Sequence, residues 1–109
     1  MPTSYTISQV QGSASTGTYV TLYDTSASES AIISNILIAN HASSAVTVRL
    51  GTDTTAGTPG ASEWLLYDVV IAANDTLSFG PLSIGPSTFL RASSSANTCT
   101  FSAAVAEIS

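Results

Sequence analysis

His41 is the only histidine in this chain of 109 residues, so a Ser-His-Asp triad would have to join it to one of many serines and to Asp53 or Asp68. No serine sits in a Gly-x-Ser-x-Gly elbow and nothing marks an oxyanion site, so His41 reads as a polar loop residue beside Asn40. A zinc centre needs several His or Cys ligands at set spacing, which His41 and Cys99 cannot supply. Calcium wants clustered carboxylates, whereas Asp53 stands alone in GTDTTAG and Asp75 in ANDTL, each suited to a turn. The expectation is therefore a protein that is not an enzyme, with no catalytic residue, metal or cofactor. Cys99, between two threonines, reads as a small buried apolar side chain. Arg49 and Arg91 are the only cations; each could pair with an acid across a subunit boundary or point into water. Trp64 with Tyr67 could stack a sugar, but Trp64 lies in an apolar run, which suits a core or a protein contact better than an open sugar site.

The elements that must carry these residues are strands. Val, Ile, Thr, Tyr and Phe recur in short runs broken by Gly, Pro, Asn and Ser, with almost no helical periodicity. About eight strands are expected, in an all-β, single-domain, two-sheet β-sandwich, jelly-roll or immunoglobulin-like. Residues 1–17 read as a polar N-terminal arm with a possible short strand at Tyr5 to Val10, able to order on docking; 18–109 form the sandwich. In TYVTLYD, Tyr19, Thr21 and Tyr23 should share one face. AVTVRLG alternates cleanly, with Val46, Val48 and Leu50 inward and Thr47 and Arg49 outward. GTDTTAGTPGAS reads as a long loop, Asn74-Asp75 as a turn, GPLSIGPS as a broken edge or corner, and Cys99, Phe101, Ala103, Val105 and Glu107 as one side of the last strand.

Two strands carry more apolar surface than one core needs. In SAIISNILIAN, alternation puts Ile32, Ile36 and Ile38 on one face and Ile33, Leu37 and Ala39 on the other. Both faces are apolar, although a strand at the surface of a small monomer should be polar on one side. EWLLYDVVI repeats the pattern, with Trp64, Leu66 and Val70 against Leu65, Tyr67, Val69 and Ile71. Ile32, Ile36, Ile38, Trp64, Leu66 and Tyr67 are the candidate interface residues, lying against the second sheet or against another copy.

Composition points the same way. Only 8% of residues are charged, against about 25% in ordinary soluble domains. Ser and Thr make up about a third of the chain, and hydroxyls give little long-range repulsion between copies. The formal charge of −5 would repel a phosphate backbone, so no nucleic-acid partner is expected. No apolar run approaches the ~20 residues of a membrane helix and the first residues lack the pattern of a signal peptide; the expectation is a soluble, unexported protein with no membrane partner.

Three segments carry a resemblance. Ile33, Ile36, Ile38 and Asn40 lead through a Ser-rich loop into Val46 to Val48 and Leu50; IAANDTL follows at Ile71 to Leu77, and LRASSSANTCTFS at Leu90 to Ser102. Taken together, Thr21 to Ser109 resembles the small β-sandwich virion proteins of tailed bacteriophages, with Gly85-Pro86-Ser87 where that pattern commonly has a Gly-Asp turn. The resemblance implies a capsid cement or decoration protein that sits on the outer shell, assembles as a homotrimer in the host cytoplasm and clamps the major capsid protein. A tail or neck structural piece, or an adhesin-like glycan-binding sandwich, is the alternative.

Overall fold

The clean alternation of Val46, Val48 and Leu50 becomes a strand with one face at 2%, 0% and 0% exposure, and nine such strands build the protein. A computed structural model describes residues 3–13, 15–54 and 63–108. The strands are β1 (Thr3–Gln11), β2 (Val20–Asp24), β3 (Ser30–Asn40), β4 (Val46–Asp53), β5 (Trp64–Ile71), β6 (Thr76–Phe79), β7 (Leu82–Ile84), β8 (Phe89–Ser94) and β9 (Cys99–Ile108). One sheet runs β1-β9-β3-β6, with β7 also pairing β3; the other runs β2-β8-β4-β5. All pairings are antiparallel. The expected all-β two-sheet sandwich is what forms. Every connection except β4 to β5 and β6 to β7 crosses between sheets; with β6 and β7 counted as two halves of one strand, this is the winding of a jelly roll.

The core lies between the sheets: Ile33, Ile36, Ile38, Phe101 and Ala103 from one side meet Leu22, Val48, Leu50, Leu90 and Ala92 from the other. Each fully buried Leu, Ile, Val or Phe contributes roughly 1.5–3 kcal/mol from leaving water. Cys99, Phe101, Ala103 and Val105 face inward together, as their spacing requires.

Bulges change which side chains reach that core. In β3 the pairing with β9 slips between Ile33 and Asn35, leaving Ser34 as the extra residue. Ala31 and Ile33 point inward before the slip; Ile36 and Ile38 point inward after it. Simple alternation grouped Ile32 with Ile36 and Ile38, and that grouping is corrected: Ile32 faces out with Leu37. The interruption of the opposite edge coincides with the bulge. Strand β6 pairs Ile36 to Ala39, β7 pairs Ala31 to Ile33, and the cis Gly80-Pro81 step lies between them. Gly80 has φ +136°, and a Cβ there would come within 3.2 Å of the Ser34 carbonyl oxygen, so only glycine passes the bulge without a backbone shift.

Strand β2 slips at Leu22, so Leu22 and Tyr23 are both buried and the expected Tyr19, Thr21, Tyr23 face is broken. Strand β5 slips opposite Arg49, where Asp68 takes φ 53°. Strand β4 runs on through Gly51 to Asp53, which the sequence placed in the following loop; the rest of that loop, from 55 to 62, lies outside the described residues.

The segment read as a polar N-terminal arm contains β1, nine residues paired with β9 from Thr3–Ile108 to Gln11–Thr100 without a slip. Residues 1, 2 and 14 of it lie outside the described residues. Beyond β1, Ser13 is tied down: its hydroxyl accepts from the Ser94 amide at 3.1 Å, and Ser94 Oγ donates to the Ser13 carbonyl at 2.8 Å.

Candidate interaction surfaces

The outer face of the β1-β9-β3 sheet is apolar and uncovered. Register places Tyr5 beside Ala106 and Ala106 beside Ile32; Ile7 stands beside Ala104, and Ser102 lies beside Leu37. Tyr5 is 83% exposed, Ile7 74%, Ile32 45% and Leu37 43%. Large side chains on the flanking strands and alanines on the central one leave a concavity of about 660 Å³, walled by Tyr5 and Ile7 on one side and Ile32 and Ser34 on the other. No carboxylate, guanidinium, imidazole or thiol lines it. Such a surface can bury apolar area against another molecule; the polar side-chain groups that line it are the hydroxyls of Tyr5, Thr6 and Ser34.

The other sheet presents an aromatic and arginine cluster. Because β5 bulges opposite Arg49, both Tyr67 and Asp68 turn toward that guanidinium. Arg49 Nε donates to Asp68 Oδ1 at 2.7 Å, its Nη2 to Oδ2 at 3.3 Å and its Nη1 to the Tyr19 hydroxyl at 3.3 Å. These bonds, the carboxylate's first, hold the guanidinium above its ordinary range, so it stays charged. The guanidinium carbon also sits 4.2 Å from the Tyr67 ring centroid. Trp64 is half-buried, edge-on to Tyr67 at 5.0 Å and tilted against Tyr19 at 5.7 Å. Arg49 and the neighbouring rings thus pack against Trp64 and Tyr67, while Tyr67 stays 54% exposed.

Of the candidate interface residues, Ile36 and Ile38 are 0% exposed and lie against the second sheet, so they do not reach another molecule. Ile32 is on the uncovered face; Leu66 packs partly against the core, while Trp64 and Tyr67 are in the cluster just described. Sequence reasoning missed Tyr5, Ile7 and Leu37 as surface residues, although the lack of any charge in TSYTISQVQ was a signal.

Both arginines pair inside the chain. Arg91 Nε donates to Asp53 Oδ2 at 2.6 Å and its Nη1 to Thr21 Oγ1 at 2.5 Å, with Phe89 beneath it at 4.3 Å. Asp53 and Asp68, the acids considered for a triad with His41, are thus held by Arg91 and Arg49. His41 is exposed, its amide bonded to the Thr98 carbonyl at 3.1 Å. Among the described residues no three of His, Cys, Asp or Glu gather as metal ligands. Cys99 is buried, and that burial pushes its thiol up. The hydroxyl of Tyr23 donates to Glu107 Oε2; burial first, and then this hydrogen bond, raise the phenol above its ordinary range.

Fold and surfaces together define a two-sheet β-sandwich with one bare apolar sheet face. No protein-family model, curated protein or solved structure matches the chain.

Proposed function

We propose that the chain is a structural part of a tailed-phage virion, a capsid cement or decoration protein that works as a homo-oligomer on the outer surface of the shell. The observation that carries this reading is the uncovered apolar sheet face of Ile32, Leu37, Tyr5 and Ile7, which a protein acting alone would leave in water. Three further features favour it: the motif likeness of β3, β4, β8 and β9 to small virion sandwiches, the pairing of Asp53 and Asp68 with arginines rather than with His41, and an acidic charge of −5 that suits the outside of a DNA-filled particle. In this role the protein makes and breaks no bond. It adds buried interface across joints of the major capsid protein and raises the barrier to their separation under internal pressure.

Mixing purified protein with bare capsids tests the reading. Binding at a fixed stoichiometry is expected, and Ile32→Ser with Leu37→Ser should abolish it while leaving the fold intact, since both side chains are surface-exposed. Failure to bind capsids, necks or tails would refute it. Glycan binding lost on Trp64→Ala would put the adhesin-like alternative in its place.

A further inference from the structure

We infer that β1 is a self-pairing edge, and that two copies of this chain join by antiparallel β1–β1 pairing about a two-fold axis. The inference goes beyond the virion reading and holds independently of it.

The sandwich has four sheet edges, and three are blunted. Strand β2 is five residues long and bulged at Leu22; β5 is bulged at Asp68, with an ion pair on its outer side; β6 and β7 are four and three residues, separated at Gly80-Pro81. These are the devices by which sheets avoid joining edge to edge. Strand β1 has none of them: nine residues, no slip, no proline, no glycine and no charge.

Its free hydrogen-bonding groups can be assigned. The Gly12 amide donates to the Cys99 carbonyl at 2.8 Å in the same register that pairs Gln11 with Thr100, so even-numbered residues bond β9. The N–H and C=O groups of Tyr5, Ile7 and Gln9 consequently face away from the sheet. Their side chains share the outer apolar face.

A second copy is the occupant these features fit. Each molecule carries −5, yet the sequence has no charged side chain before Asp24, so two β1 strands meet without like charges opposed. With Thr6 on the axis, Tyr5 of each copy stands opposite Ile7 of the other in a hydrogen-bonded pair, an aromatic against a β-branched side chain. Moving the axis to Ile7 would put Tyr5 against Gln9 and lose that match. The union also makes the two apolar faces continuous. An antiparallel pairing of identical edges is closed and two-fold, so it builds pairs of copies, unlike the threefold ring that the resemblance implies.

Sedimentation of the full chain at tens of micromolar should give twice the 11.1 kDa protomer mass. Ile7→Pro removes an outward-facing N–H and the side chain that faces Tyr5 of the other copy, breaks no hydrogen bond to β9, and should yield a folded monomer. Thr6→Cys should form an interchain disulfide on mild oxidation, because facing residues of a non-hydrogen-bonded pair lie about 4.5 Å apart at Cα, within disulfide range. Amide exchange at Tyr5, Ile7 and Gln9 should slow with protein concentration. A monomer at these concentrations, a trimer, or a dimer that Ile7→Pro leaves intact would overturn the proposal. So would a monomer whose Tyr5, Ile7 and Gln9 amides are protected only on adding bare capsids, since the edge would then belong to a shell segment.

Discussion

Asn40 is the residue whose loss should damage this fold most for its size. It is 2% exposed at the end of β3, and its side chain binds three parts of the chain together. Its Nδ2 donates to the carbonyls of Ser44 at 3.0 Å and of Ile71 and Ala72 at 3.2 Å each. Its Oδ1 accepts from the Ala42 amide at 3.1 Å and from Thr98 Oγ1 at 3.3 Å. One amide thus fixes the β3–β4 loop, the end of β5 and the start of β9. Asn40→Ala removes all of these, and each buried group left without a partner costs about 1–3 kcal/mol. Water can reach those nearer the surface, so the net loss should be about 3 kcal/mol, a drop of about 15 °C in melting temperature for a domain of this size. Urea unfolding should show a lower midpoint with unchanged slope. Asn40→Asp keeps Oδ1 but places a carboxylate against three carbonyls. Burial would raise its folded pKa above the unfolded value of about 3.9, so the variant should match Asn40→Ala or better near pH 3 and become less stable as pH rises past 4. A loss under about 1 kcal/mol in Asn40→Ala, or a pH-independent difference between the two variants, would refute the argument.

Arg91→Met should cost about 3 kcal/mol in urea unfolding, because it takes the guanidinium from Asp53, a carboxylate 2% exposed; Arg49→Met, whose partner Asp68 is 46% exposed and can turn to water, should cost far less. Tyr23→Phe should flatten the alkaline limb of the stability curve. The native phenol holds its proton beyond the unfolded value of about 10, so the stability of the natural chain should fall as pH rises above 10, a loss that should be smaller in the phenylalanine variant, where the buried Cys99 thiol still contributes, when both are followed by circular dichroism.

What could be read beforehand followed from local rules. From Val46 to Leu50 strand β4 alternates strictly and has one buried face, so the facing of that stretch was legible; so was the turn at Asn74, which takes φ 59°. Bulges were not. In β3 apolar side chains fall on both faces on either side of Ser34, so alternation alone does not locate an extra residue there, and only pairing with β9 reveals that Ile36 rather than Leu37 turns inward. The double apolar character of β3 had a mixed explanation: the second sheet covers Ile33, Ile36 and Ile38, while Ile32 and Leu37 stay in the open. The ionic partners were hidden for another reason. Arg49 reaches Asp68 and Arg91 reaches Asp53 across 19 and 38 residues, and only strand order brings such pairs together.

That arrangement has a consequence for how the molecule meets its surroundings at a distance. Each guanidinium is neutralised by a carboxylate of its own chain, and the sequence has no lysine, so the far field is that of an acid with no cationic patch to steer an approaching anion. Added salt should therefore speed encounters between copies by screening their mutual repulsion, the reverse of what it does to a protein that grips phosphates.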